Sequence, residues 1–180
     1  MSNVLLVVDM LVGFLESGHN LYCGDDAREI IPNVRRLIEE EQARGSSVFF
    51  ICDNHDPDDL EFQMFPVHCV KGTREAEIIP ELAGYEGDVI LKRRYSAFFE
   101  TDLDQRLAEL NPDKVIICGV CTDICVMHTT SDVRNRDYQV EIPIDCVATF
   151  DPEAHKHALE HMEKILGAKL VKTATARPGC

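Results

Sequence analysis

Six short apolar runs constrain most what this chain can fold into. They cover residues 3–9, 47–53, 88–92, 114–118, 139–142 and 168–171. Each is short, rich in Val, Ile or Leu, and shows little of the polar alternation of a sheet wet on one side. Such runs read as strands buried on both faces. Helical spacing fills several gaps between them. Ile30, Ile31, Val34, Leu37 and Ile38 mark a helix over about 26–44 that Gly45 can end. Thr101 starts another, with Asp104 completing a capping box and Leu103, Leu107 and Leu110 as its stripe. Ile78 to Leu82 reads as a short helix. A helix capped by Asp123 runs to about Arg136, and Asp151-Pro152 opens a last one with Ala158, Met162 and Ile165 on one face. Strands alternating with helices predict right-handed βαβ units: an α/β fold of three α/β/α layers around a doubly wound, six-stranded parallel sheet. No linker or repeat divides the chain, so one domain spans 1–180, with 173–180 as a frayed tail.

In such sheets the site lies beyond the carboxyl ends of the strands. Asp9, Asp53, Lys92 and the Gly119–Cys125 turn all fall there. Cys125 in the first turn of its helix would feel unpaired N–H groups and the helix dipole, which favour a thiolate. Asp9 would take its proton, and Lys92 would hold the resulting anion. Taken singly, Cys125 reads as a buried structural thiol, and Asp9 or Lys92 as half of an ion pair. Their joint placement on three strand ends favours a nucleophilic site. Cys118, Cys121 and Cys125 have the spacing C-x2-C-x3-C, but a fourth metal ligand is missing.

The long segment 54–75 carries a second set. Asp53-x-His55, Glu61 and His68 combine carboxylates and imidazoles that suit zinc, iron or manganese. Asp53 and His55 share one side of an extended segment. Asp56, Asp58 and Asp59 read as a solvated acidic run, and Cys69 would point away from His68.

Charge excludes some partners. The 18 basic and 32 acidic residues give −14, which argues against nucleic acid or an anionic membrane. The apolar run from Val4 ends too early, at Asp9, for a signal peptide, and no run is long enough to span a bilayer. The eight cysteines then read as reduced thiols in a cytoplasmic protein.

These residues together resemble the isochorismatase-like cysteine hydrolases, and within them the nicotinamidases. The motifs are Val7-Val8-Asp9-Met10-x-x-Gly13-Phe14, Asp53-x-His55 followed by residues Phe65 to Thr73, Lys92 to Phe98, and Gly119 to Val126. The resemblance implies strand order 3-2-1-4-5-6 and hydrolysis of nicotinamide to nicotinate and ammonia through a thioester on Cys125. Asp9 would relay the proton and Lys92 would hold both partners. A cis peptide at Val120–Cys121 would aim the N–H groups of Cys121 and Cys125 at the substrate oxygen. One divalent metal, zinc foremost, would sit on Asp53, His55, Glu61 and His68, with Asp59 a rival to Glu61. Phe14, Phe65 and Tyr95 would pack the substrate ring, and a homo-oligomer is implied. There are departures: Phe65 stands where many relatives carry tryptophan, Leu11 replaces a frequent glutamine, and the His55–His68 loop is short. The competing readings are the same chemistry on another small amide or carbamoyl compound, a non-catalytic metal- or ligand-binding relative, and a thiol redox protein with Cys121 as resolving thiol.

Overall fold

A computed structural model describes residues 3–173. The apolar runs form the strands of one parallel sheet: β1 (Asn3–Val8), β2 (Ser47–Asp53), β3 (Asp88–Lys92), β4 (Lys114–Val120), β5 (Val140–Pro143), β6 (Val147–Ala148) and β7 (Lys169–Val171). Their order is β3-β2-β1-β4-β5-β7, with β6 paired to β4. The six expected strands stand in the implied order. The two-residue β6 is an addition too short to leave any periodicity.

The helices are α1 (Val12–Leu15), α2 (Asp25–Arg28), α3 (Ile31–Ala43), α4 (Leu103–Leu110), α5 (Met127–Arg134) and α6 (Pro152–Lys164). They cover both sheet faces. One apolar cluster joins Leu5, Val7, Phe50 and Cys118 to Val34 and Ile38 of α3. The other joins Val4, Leu6, Ile117 and Ile51 to Leu103 and Leu107 of α4, Val133 of α5 and Met162 of α6. Successive strand residues thus alternate between two cores, which is why the runs look uniformly apolar.

Several local expectations are corrected. The helix over 26–44 is two, because Pro32, which lacks an N–H, occupies the first turn of α3 and restarts it. Residues 78–82 make turns rather than a helix. Pro80 interrupts them, and Ile78 bridges Leu11. The capping box at Thr101 does not form. Thr101 Oγ1 donates to Ala97 O at 2.5 Å, and Asp104 is taken by Arg136 at 2.8 Å. Ile165 is exposed, since α6 ends at Lys164. In the tail, Thr173 is anchored, its N–H donating to Asp145 at 3.0 Å and its Oγ1 accepting from Arg36 at 2.7 Å. The rest of the expected frayed tail lies outside the described residues. Among those described, no helix is long and apolar enough to cross a membrane.

Candidate active site

Sheet order alone brings the chemistry together. Asp53 pairs in register with Lys92, and Val8 with Gly119. Along β3-β2-β1-β4 the strand ends therefore read Lys92, Asp53, Asp9 and Gly119. Asp9 follows β1 at φ 50°, a left-handed conformation that only a few non-glycine residues adopt. Gly119 (φ +110°) admits no substitute, because a Cβ there would sit 1.9 Å from Val8 O. That contact lets β4 run close beside β1 before the chain turns.

The turn itself differs from expectation. Cys125 does not lie in the first turn of an α-helix. Thr122–Val126 form a π-helical turn, and α5 begins only at Met127. Asp123 does not cap it, because its carboxylate accepts from Thr149 Oγ1 at 2.5 Å. Cys121 O instead accepts from Ile124 N and Val126 N, both at 3.1 Å. The Val120–Cys121 peptide is cis, as the resemblance implies.

Lys92 is the hub. Its Nζ lies 2.5 Å from Asp53 Oδ1, 2.9 Å from Asp9 Oδ2 and 3.4 Å from Cys125 Sγ, and all four residues are buried. Asp9 Oδ1 also accepts from Asp53 N at 2.9 Å. Burial and the neighbouring Asp53 raise Asp9 to about 6, with Lys92 only partly offsetting them. For Asp53 burial acts upward too, but the Lys92 charge and His55 outweigh it and hold it at about 2. Lys92 is raised by its carboxylates against the cost of burial. Burial pushes the Cys125 thiol up, and Lys92 pulls it back. The thiol thus stands beside the Lys92 ammonium and the acidic side chains of Asp9 and Asp53. Deprotonation therefore needs an adjacent acceptor, and the neighbours of Cys125 include Asp9.

The second set also assembles. Asp53, His55 and His68 each present one ligand atom, all within 4.8 Å of one another. His68 Nε2 is 3.8 Å from Glu61 Oε1. His55 Nε2 and Glu61 Oε2 are buried without a hydrogen-bond partner among the described residues. Buried polar atoms are rarely left so, and an unpaired imidazole nitrogen beside carboxylates fits a divalent cation of the zinc type. Asp59 is corrected twice. It is buried rather than solvated, and it does not rival Glu61. Its carboxylate is already spent on Arg94, His55 and the Glu61 N–H. Cys69 stays apart, its thiol donating to Glu75 O at 3.5 Å.

A cavity opens over both sets, lined by Phe14, Phe65, Tyr95, Asp53, Glu61, His68, Cys121 and Cys125. The three aromatic residues named from sequence thus all reach it. Leu21, Ile124 and Phe150 also line it. Sequence reasoning missed them, because no periodicity marks the turns and loops that carry them. The cysteine triplet is divided by the sheet: Cys118 and Cys121 belong to one core and Cys125 to the other. Cys121 Sγ meets Cys23 Sγ at 3.6 Å.

A buried cysteine, aspartate and lysine thus meet at the carboxyl edge of a doubly wound sheet, and comparison with known proteins gives the family to which such a fold belongs here. Residues 3–175 match the isochorismatase domain model, and the chain belongs to the isochorismatase family of hydrolases. The pyrazinamidase/nicotinamidase of Streptococcus mutans superposes with TM-score 0.89 at 34% identity, covering 94% of this chain and 99% of that one. The N-carbamoylsarcosine amidase of Thermoplasma acidophilum gives 0.87 at 32%, covering 99% and 100%. The pyrazinamidase of Pyrococcus horikoshii, solved in complex with zinc, gives 0.87 at 31%, covering 95% and 99%.

Proposed function

We propose that this protein is a metal-dependent cysteine amidohydrolase converting nicotinamide to nicotinate and ammonia. The observation that carries the reading is the contact of one lysine with Asp9, Asp53 and Cys125, directly beside an Asp–His–Glu–His cluster in which His55 Nε2 and Glu61 Oε2 lack hydrogen-bond partners among the described residues. The carboxamide carbon would be attacked by Cys125 Sγ as the thiol proton passes to Asp9. The S–C bond forms, and the developing oxyanion is met by the backbone N–H groups of Cys121 and Cys125. Loss of one such donor costs about 10²–10³ in rate. The C–N bond then breaks as Asp9 returns the proton to the leaving ammonia. Water attacks the thioester, Asp9 takes a proton from it, and Cys125 leaves and is reprotonated. Throughout, Lys92 compensates the negative charge as it moves between Sγ and Asp9.

Asp53, His55, Glu61 and His68 would hold the metal. When bound, a divalent ion there supplies a Lewis-acid contact for a ring nitrogen. Phe14, Phe65 and Tyr95 would pack the flat ring. The likeness to a carbamoylsarcosine amidase supports the same chemistry on another small amide as the second reading. The deciding experiment is ammonia release from a panel of small amides and carbamoyl compounds. Nicotinamide should be turned over with the highest kcat/KM. A preference for an N-carbamoyl amino acid would transfer the assignment to the second reading.

A further inference from the structure

We propose that Asp59 and Arg94 are a positioning pair that pre-assembles the His55 and Glu61 half of the metal site. The inference rests on the metal reading above and assigns work to two residues that reading leaves idle. The Asp59 side chain is 2% exposed and receives three donors from three places in the chain. Arg94 Nη1 donates to Oδ1 at 2.7 Å, the Glu61 N–H donates to the same oxygen at 2.9 Å, and His55 Nδ1 faces Oδ2 at 3.2 Å.

Each contact has a consequence. The Glu61 N–H contact caps the short 3-10 turn Leu60–Gln63 and so fixes where Glu61 leaves the backbone. The His55 contact makes Nδ1 the protonated nitrogen, which leaves the Nε2 lone pair free. Nε2 is the atom that lies 3.7 Å from Asp53 and lacks a hydrogen-bond partner among the described residues. An imidazole held by a carboxylate through one nitrogen is oriented to ligate through the other. Arg94 supplies the third anchor. It stands two residues beyond Lys92, also donates to Arg93 O at 2.5 Å, and lies 3.7 Å from Glu61 Oε2. One guanidinium therefore ties the donor loop to the strand end that carries Lys92, and sets the register between the two halves of the site.

The test is the zinc dissociation constant, measured by competition with a chromophoric chelator on metal-stripped protein. Asp59→Ala and Arg94→Ala should weaken zinc about 10–100-fold, the usual cost of losing a group that orients a ligand. Asp59→Asn keeps an acceptor for His55 Nδ1–H, and Arg94→Lys keeps a donor to Asp59. Both should recover much of the loss, which general destabilisation would not produce. If Asp59→Ala fails to fold, Arg94→Ala and Arg94→Gln carry the measurement, both expected to weaken zinc, and wild-type affinity in both would then overturn the pair. Wild-type zinc affinity in Arg94→Ala and Asp59→Ala, with affinity lost in His55→Ala, would overturn the pair and leave the metal site standing. Wild-type affinity in His55→Ala would remove the site itself, and the pair with it.

Discussion

The central strands β1 and β2 carry a buried ionic cluster at each end, and the two clusters are built on opposite terms. At the amino end Glu41, 1% exposed, is fully provided for. Its carboxylate receives Arg44 Nη1 at 2.5 Å, Ser46 Oγ at 2.5 Å and Asn3 Nδ2 at 3.1 Å. At the carboxyl end, by contrast, a single ammonium serves Asp9, Asp53 and Cys125. Next to it, His55 Nε2 and Glu61 Oε2 have no hydrogen-bond partner among the described residues. A buried carboxylate with both oxygens hydrogen-bonded is arranged to hold the fold. A cation shared among three claimants, beside unmet acceptors, is arranged for protons and ligands that arrive later.

If that contrast is right, activity and stability separate between the ends. Cys125→Ala should have the largest catalytic effect: ammonia release falls by about 10⁴–10⁶-fold, as when a hydrolase loses its nucleophile. Its denaturation midpoint should stay near wild type, since no charge is orphaned. Full ammonia release by this variant would end the thioester mechanism.

Lys92→Ala should damage both properties. It leaves two buried carboxylates without their cation, a loss of about 3–5 kcal/mol. Urea titration together with the ammonia assay measures the two effects. Unchanged stability would show that the ammonium is less committed than its distances suggest.

His55→Ala tests the unmet atoms. Bound divalent metal, read by elemental analysis, should fall well below one per chain, and KM should rise more than kcat falls. Wild-type metal content would return His55 to the role of a loop histidine.

How far these ends were legible in the sequence follows from what each depends on. Uniform apolar runs exposed the strands, because burial on both faces needs nothing but Val, Ile and Leu. Charges at the ends of those runs exposed Asp9, Asp53 and Lys92, because a parallel sheet places strand ends together. What stayed hidden depends on competition between distant partners. Asp123 had the right position for a cap, but Thr149 claims it. Asp104 had the spacing of a capping box, but Arg136 claims it. Asp59 resembled its solvated neighbours until Arg94, 35 residues away, drew it inward. Leu21 and Phe150 reach the cavity from loops whose paths no periodicity records. The Glu41 cluster was equally invisible, because its glutamate lies in an ordinary-looking helix and two of its donors, Asn3 and Ser46, sit at or just before strand beginnings.

That cluster supplies the converse and smallest effect. Glu41→Gln should leave ammonia release intact and cost about 1–3 kcal/mol at neutral pH, the range for hydrogen bonds to a buried charged group. The pH dependence gives the sharper test. Burial acts to raise Glu41, but the bonds from Ser46, Asn3 and Arg44 outweigh it and bring the folded value below the ordinary 4.5. A folded value below the unfolded one means that protonation favours unfolding. The carboxylate's contribution is therefore present in full above about pH 4.5 and lost as the pH falls through the folded value. Stability curves of wild type and Glu41→Gln should run apart at pH 7 and converge in acid. Parallel curves would mean that Glu41 holds its place by shape rather than charge, and the contrast between the two ends would lose its amino-terminal half.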